Sequence, residues 1–252
     1  MTDSSEPDRI RDGFDQNHKA RRRGMTPSYS HHMARKVTVQ WGDESVSGLI
    51  EGSGRVGILL AHGAGTDQTH PGIAKLRSGL AGGGHTVMTF NYPYTERGSK
   101  RPDRQEKLVE CHRAAADSLA NDVEERYLAG RSMGGRIGTY LAAAGYPLTG
   151  LILYAYPLHP AGDPGRLRVD QFADIHVPML FFQGTRDALS RMELFERHIM
   201  ALPNAEVELL EGAGHGPRGG GWDQEKMTLR YVDGTLAWIS RVTSGEKERF
   251  RP

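Results

Sequence analysis

From Val56 onward the chain keeps returning to short apolar runs, and most of them lead through a loop into a stretch with helical periodicity. The first run, "VGILLAHG" from Val56, is apolar without interruption. A half-exposed strand would alternate, so this one reads as buried on both faces, as in a parallel sheet. After it, "IAKLRSGLAGGG" places Ile73, Leu76 and Leu80 at helical spacing and ends on glycines. The cycle repeats with "HTVMTFNY", then a helix whose one face carries Leu108, Cys111, Ala115 and Leu119. It continues with "RYLAG" and a helix containing Ile137, Tyr140 and Leu141, then "GLILYAYPLHP", and then "VPMLFFQGTRD". Ser190 with Glu193 forms a capping box that opens the next helix. "AEVELLEGAGH" is the last strand, and Leu229, Val232, Leu236 and Ile239 mark the closing helix. Strands alternating with helices predict an α/β fold, a mainly parallel twisted sheet of about eight strands with helices on both faces. The opening runs "KVTVQW" and "VSGLIEG", joined by "GDE", add an antiparallel edge.

In such a sheet the loops leaving the carboxyl ends of the strands converge on one edge. Four of them carry reactive groups. "HGAG" (His62 to Gly65) has glycines that let backbone N–H groups turn toward a ligand. Gly130-Arg131-Ser132-Met133-Gly134 has the G-x-S-x-G spacing between an apolar strand and an amphipathic helix. "QGTRD" ends on Asp187, and "EGAGHG" presents His215. The pentapeptide alone is weak in a chain with 32 glycines; its context, strand before and helix after, is what gives it weight. A serine hydroxyl needs a base, and imidazole is suited to that near neutral pH. A carboxylate must then orient the imidazole. Ser132, His215 and Asp187 are the candidate catalytic residues, and the backbone N–H groups of Met133 and Ala64 are the candidate oxyanion donors.

Around these lie candidate substrate contacts: His159 and Tyr156 in "YPLHP", Arg131 inside the turn, and Arg97. Arg97, Lys100, Arg101 and Arg104 form a basic loop at the same edge, read either as attracting an anionic substrate or as a solvated face. His62 holds its loop by hydrogen bonds, and Cys111 is a core thiol. The remaining histidines lack convergent ligand spacing, so no metal and no cofactor are expected. About 20 residues separate "LILYAY" from "PMLFF", too few for a cap domain, so the pocket should accept small or accessible acyl substrates.

Residues 1–35 are polar, with mixed charge and no apolar periodicity, and read as a disordered tail. Residues 36–243 form the domain and 244–252 a polar tail. With 32 basic and 31 acidic residues, the whole molecule has no electrostatic reason to seek nucleic acid or a membrane surface. One cysteine and no apolar run of about 18 residues fit a cytoplasmic protein. Whether it is a monomer or a homodimer stays open.

"HGAG", "FNYPYTERG", "GRSMGG", "YPLHPAGDPGRLR" and "FFQGTRD" together resemble the dienelactone-hydrolase-like branch of the α/β-hydrolases. More narrowly, they resemble the group containing a testis-expressed vertebrate protein and the third subunit of the nonspecific-lethal histone acetyltransferase complex. The resemblance runs from about Val37 to Ser240 and implies the α/β-hydrolase fold and a serine hydrolase, with an ester-hydrolysing triad in the order Ser132, Asp187, His215. Dienelactone hydrolases themselves carry cysteine where this chain has Ser132. The group also includes scaffold-like members, so a non-catalytic interaction module stands as the alternative. An acyltransferase or thioesterase would use the same three residues.

Overall fold

The computed structural model describes residues 33–245. Eight strands form one sheet: β1 (Arg35–Trp41), β2 (Glu44–Glu51), β3 (Val56–Ala61), β4 (Thr86–Phe90), β5 (Glu125–Arg131), β6 (Gly150–Tyr154), β7 (Met179–Gly184) and β8 (Ala205–Leu210). Their spatial order is β1-β2-β4-β3-β5-β6-β7-β8. β1 runs antiparallel to β2 and β2 antiparallel to β4, while every other pairing is parallel. The helices are α1 (Pro71–Gly82), α2 (Pro93–Glu96), α3 (Gln105–Ala120), α4 (Met133–Ala143), α5 (Met192–Phe195) and α6 (Gln224–Thr243). The tails expected at 1–35 and 244–252 lie outside the described residues except at 33–35 and 244–245.

The uninterrupted apolar runs have a direct structural reason. Along β3, Ile58 and Leu60 pack on one side of the sheet with Ile73, Leu76 and Leu80 of α1 and with Tyr231, Val232 and Trp238 of α6. Leu59 and Ala61 pack on the other with Leu108 and Cys111 of α3, Ile137 and Leu141 of α4, and Phe195. Successive strand residues point to opposite faces, so a strand covered on both sides must be apolar at every position. Burying each such side chain contributes roughly 1.5–3 kcal/mol. Between β6 and β7 the chain adds only loop and a short 3-10 turn, Asp170–Asp174, so no cap covers this edge among the described residues.

Two local expectations fail. Ser190 does not cap α5. The cap position is Arg191, no side chain caps the helix, and Ser190 Oγ is buried without a partner. The cause is the preceding turn: Asp187 Oδ1 accepts the Leu189 N–H at 2.8 Å and Asp187 O accepts the Ser190 N–H at 3.1 Å, which draws Ser190 inward. α5 is also only one turn long and passes into a π turn, Glu196–Met200. In α6 the buried stripe runs through Met227, Tyr231, Val232, Thr235, Trp238 and Ile239, so Leu229 faces out, 49% exposed. Polar Thr228 and Thr235 take inward positions that apolar spacing alone does not reveal.

His112 of α3 is fully buried, sharing a 2.9 Å hydrogen bond between Nδ1 and Tyr92 Oη. Burial pushes its pKa down to about 3, with a smaller contribution from His62. The native ring therefore stays neutral while the unfolded chain takes up a proton below about pH 6.5. Stability should rise with pH between about 3 and about 6.5, and the gain is complete above that window. Denaturant titrations should show His112→Gln losing about one proton's worth of this slope, roughly 1.4 kcal/mol per pH unit.

Candidate active site

β5 ends at Arg131 and α4 begins at Met133, leaving Ser132 alone to reverse the chain. It does so at φ 52°, ψ −115°, a conformation that costs a non-glycine residue of order 1–3 kcal/mol. The two flanking glycines make this turn possible. A Cβ on Gly130 would stand 2.3 Å from Gly135 N, and one on Gly134 would stand 2.6 Å from the carbonyl oxygens of both Ala61 and His62. The turn is thus pressed directly against the end of β3. Ala155, also at φ 52°, marks a second strained turn at the end of β6, which nothing in the sequence signalled.

Asp187 and His215 reach Ser132 from loops that are joined to each other. Thr185 Oγ1 accepts the Gly212 N–H at 2.8 Å, and Ala213 O accepts the Arg186 N–H at 2.9 Å. These bonds tie the loop after β7 to the loop after β8. Asp187, 4% exposed, places Oδ2 at 2.8 Å from His215 Nδ1, and His215 Nε2 lies 2.8 Å from Ser132 Oγ. A carboxylate can only accept, so Nδ1–H donates to Asp187 and Nε2 is left to accept the serine hydroxyl. Residues 28 and 83 positions apart form one continuous relay.

Two further side chains brace it. Gln183, fully buried on β7, donates Nε2–H to Asp187 Oδ2 at 2.9 Å, so that oxygen takes two donors while Oδ1 takes the Leu189 N–H. Its only sequence signal is a polar residue inside an otherwise apolar strand. Arg131 donates Nη2–H to the carbonyl of His215 at 2.8 Å, holding the histidine loop from beneath the turn. One nitrogen of its guanidinium is therefore engaged by the protein.

On the other side of the turn, Gly63 lies close enough that a Cβ there would be 3.7 Å from Ser132 Cβ. Its carbonyl accepts from Thr66 Oγ1 at 2.9 Å and from His62 Nδ1 at 2.9 Å. Tyr92 N–H points at His62 Nε2 at 3.4 Å, which leaves the ring hydrogen on Nδ1. Burial lowers the His62 pKa, keeping the ring neutral in this role. Because a trans peptide is planar, anchoring the Gly63 carbonyl sets the direction of the Ala64 N–H. Met133 opens α4, and its N–H is one of those a helix leaves without an internal partner.

The remaining expected contacts are placed elsewhere. His159 is 2% exposed, with Nδ1 on Pro160 O at 2.9 Å and Nε2 accepting the Arg191 N–H at 3.2 Å. Tyr156 is 1% exposed and donates to Arg168 O at 2.7 Å. Both shape the loop after β6 from inside, and neither presents a free polar group to a substrate. Arg97 pairs with Asp103 at 2.5 Å, so its charge is already answered. Cys111 is buried among apolar groups that push its pKa up to about 12, and it is an inert thiol. Among the described residues no group of three His, Cys, Asp or Glu side chains could hold a metal ion.

Residues 54–239 match the family described as Alpha/beta hydrolase domain. The chain belongs to that family. Solved structures with the same fold include Est1E from Butyrivibrio proteoclasticus, 14% identical over 81% of this chain and 99% of that one, with a TM-score of 0.65. XC6422 from Xanthomonas campestris, described as a serine hydrolase without a lid, is 18% identical over 81% and 94%, with a TM-score of 0.63. A dienelactone hydrolase from Anabaena variabilis is 16% identical over 83% and 98%, with a TM-score of 0.67. At these identities the likeness speaks to the fold.

The packing of the turn yields a contrast. Gly134→Ala would force a methyl onto two backbone carbonyls and should destabilise the protein by about 2–3 kcal/mol. Gly216→Ala meets only the end of the Arg131 side chain, 3.7 Å away, and should change stability by less than about 0.5 kcal/mol. Thermal unfolding of the two variants side by side measures both.

Proposed function

We propose that this protein is a serine hydrolase acting on carboxylic esters through an acyl-enzyme. The observation that carries the reading is the unbroken relay from Ser132 Oγ through the His215 ring to the Asp187 carboxylate, with 2.8 Å at each step. In this reading His215 Nε2 takes the Ser132 proton as Oγ attacks the acyl carbon. Asp187 steadies the resulting imidazolium through Nδ1–H, and Gln183 keeps the carboxylate turned toward the ring. The tetrahedral oxyanion is received by the N–H groups of Met133 and Ala64. The imidazolium then returns its proton to the alkoxide leaving group, and water repeats the sequence to release the acid.

The uncovered edge between β6 and β7 favours small or surface-accessible acyl groups over substrates that a lid must enclose. Within the family, the segment "YPLHPAGDPGRLR" supports placing the chain in the dienelactone-hydrolase-like branch and in the narrower group with the testis-expressed and nonspecific-lethal relatives. Ser132, in place of the elbow cysteine of dienelactone hydrolases, argues against a dienelactone as the ester hydrolysed. The buried, unreactive Cys111 is compatible with a reducing, cytoplasmic setting, and no described helix is long and apolar enough to cross a membrane.

A fluorophosphonate probe should label the wild type at Ser132 and leave Ser132→Ala unlabelled, as mass spectrometry of the adduct would show. Asp187→Asn should keep the fold and lower kcat on a nitrophenyl ester by about 10⁴. A folded wild type that resists the probe would instead be a binding module built on this fold.

A further inference from the structure

Arg136 and Arg168 are drawn partly out of water without a carboxylate to answer them. Buried Arg77 meets Glu51 at 3.0 Å, and Arg97, Arg166, Arg230 and Arg241 each have an acidic partner. Arg136 and Arg168 form no ion pair among the described residues. A charge held in that way is costly unless something compensates it.

Their position makes the observation functional. Arg136 sits on α4 one turn beyond Ser132, whose carbonyl accepts its backbone N–H at 3.0 Å. Helical side chains lean toward the helix N-terminus, so the guanidinium projects back to the carboxyl edge of the sheet. Its Nη1 points to Gln105 Oε1 at 3.3 Å and to Tyr140 Oη at 3.4 Å, and its Nε is buried with no partner. Arg168 arrives from the loop after β6, its Nη1 resting on the neutral carbonyl of Pro157 at 3.2 Å. It is half-buried, and desolvation together with the nearby Arg136 charge lowers its pKa. Two like charges are therefore gathered near each other, one of them a single helical turn from Ser132, with most of their donors directed at nothing charged.

We propose that Arg136 and Arg168, with the Tyr140 hydroxyl, form an anion subsite beside Ser132 that takes a carboxylate or phosphate group carried by the substrate. A planar guanidinium offers five N–H donors in a fork matched to either oxyanion. The subsite deepens the hydrolase reading by naming a substrate class, esters that carry a second, anionic group. Arg131, next to Ser132 in the chain, is tied to the His215 carbonyl through Nη2 and takes no part.

Calorimetric titration at low ionic strength with inorganic phosphate and, separately, with succinate tests the subsite without relying on catalysis. Saturable binding of at least one anion is expected, weakened about tenfold in Arg136→Gln and in Arg168→Gln and unaltered in Lys226→Gln, a charge control on α6. The tighter of the two anions identifies phosphate or carboxylate as the group recognised. Where Arg168→Gln loosens its loop enough to prevent folding, Arg136→Gln carries the comparison, because only side chains touch its guanidinium. In kinetics, the ratio of kcat/KM for nitrophenyl hydrogen glutarate to that for nitrophenyl butanoate should fall about tenfold in each arginine variant. The subsite is overturned if neither anion binds saturably, or if the control loses as much affinity as the arginine variants. It is equally overturned if the glutarate-to-butanoate ratio is indifferent to both arginines while Ser132 labels normally. Arginine-dependent anion binding in a protein that the fluorophosphonate leaves untouched would retain the subsite and remove the hydrolase reading instead.

Discussion

The strained backbone at Ser132 is the constraint to which the surrounding structure is fitted. A non-glycine residue at φ 52° holds only where its neighbours leave it no alternative. Here the end of β3 presses on Gly134 and the start of α4 presses on Gly130. That compression brings the Gly63 peptide beside the serine and puts the first N–H of α4 next to the hydroxyl. Sheet, helix and loop are thus in mutual contact at one residue.

The second requirement is to bring Asp187 and His215 to that point from the end of the sheet. The sheet does this by order: β7 and β8 follow β6 outward, and their loops are cross-bonded through Thr185 and Ala213 before either reaches the serine. Asp187 and His215 are consequently parts of one small framework. Gln183 steadies it from within the sheet, and Arg131 steadies it from the serine side.

Much of this was legible in the residues. Uninterrupted apolar runs such as "VGILLA" report two-sided burial, and the glycines around Ser132 report a turn too tight for a Cβ. Loop position relative to strand ends was enough to single out Asp187 and His215. What stayed hidden depended on direction rather than identity. Ser190 satisfies the capping pattern, yet the Asp187 turn rotates it inward. Leu229 has the right spacing for the α6 stripe, yet threonines take inward positions and the face is displaced. His159 and Tyr156 lie at the correct edge, but main-chain groups claim their polar atoms. Arg136 and Arg168 carried no motif, because an absent counter-ion shows only in three dimensions.

The histidine hangs from a loop following β8, and β8 is the outermost strand, paired only with β7. Edge strands open at lower free energy than the centre of a sheet. Fraying at this margin would separate His215 from Ser132 while the interior, with its serine turn, stayed intact. The contact between the His215 imidazole and the Ser132 hydroxyl is therefore a more delicate property of this molecule than foldedness, and mild destabilisation should break it before any bulk spectroscopic signal changes.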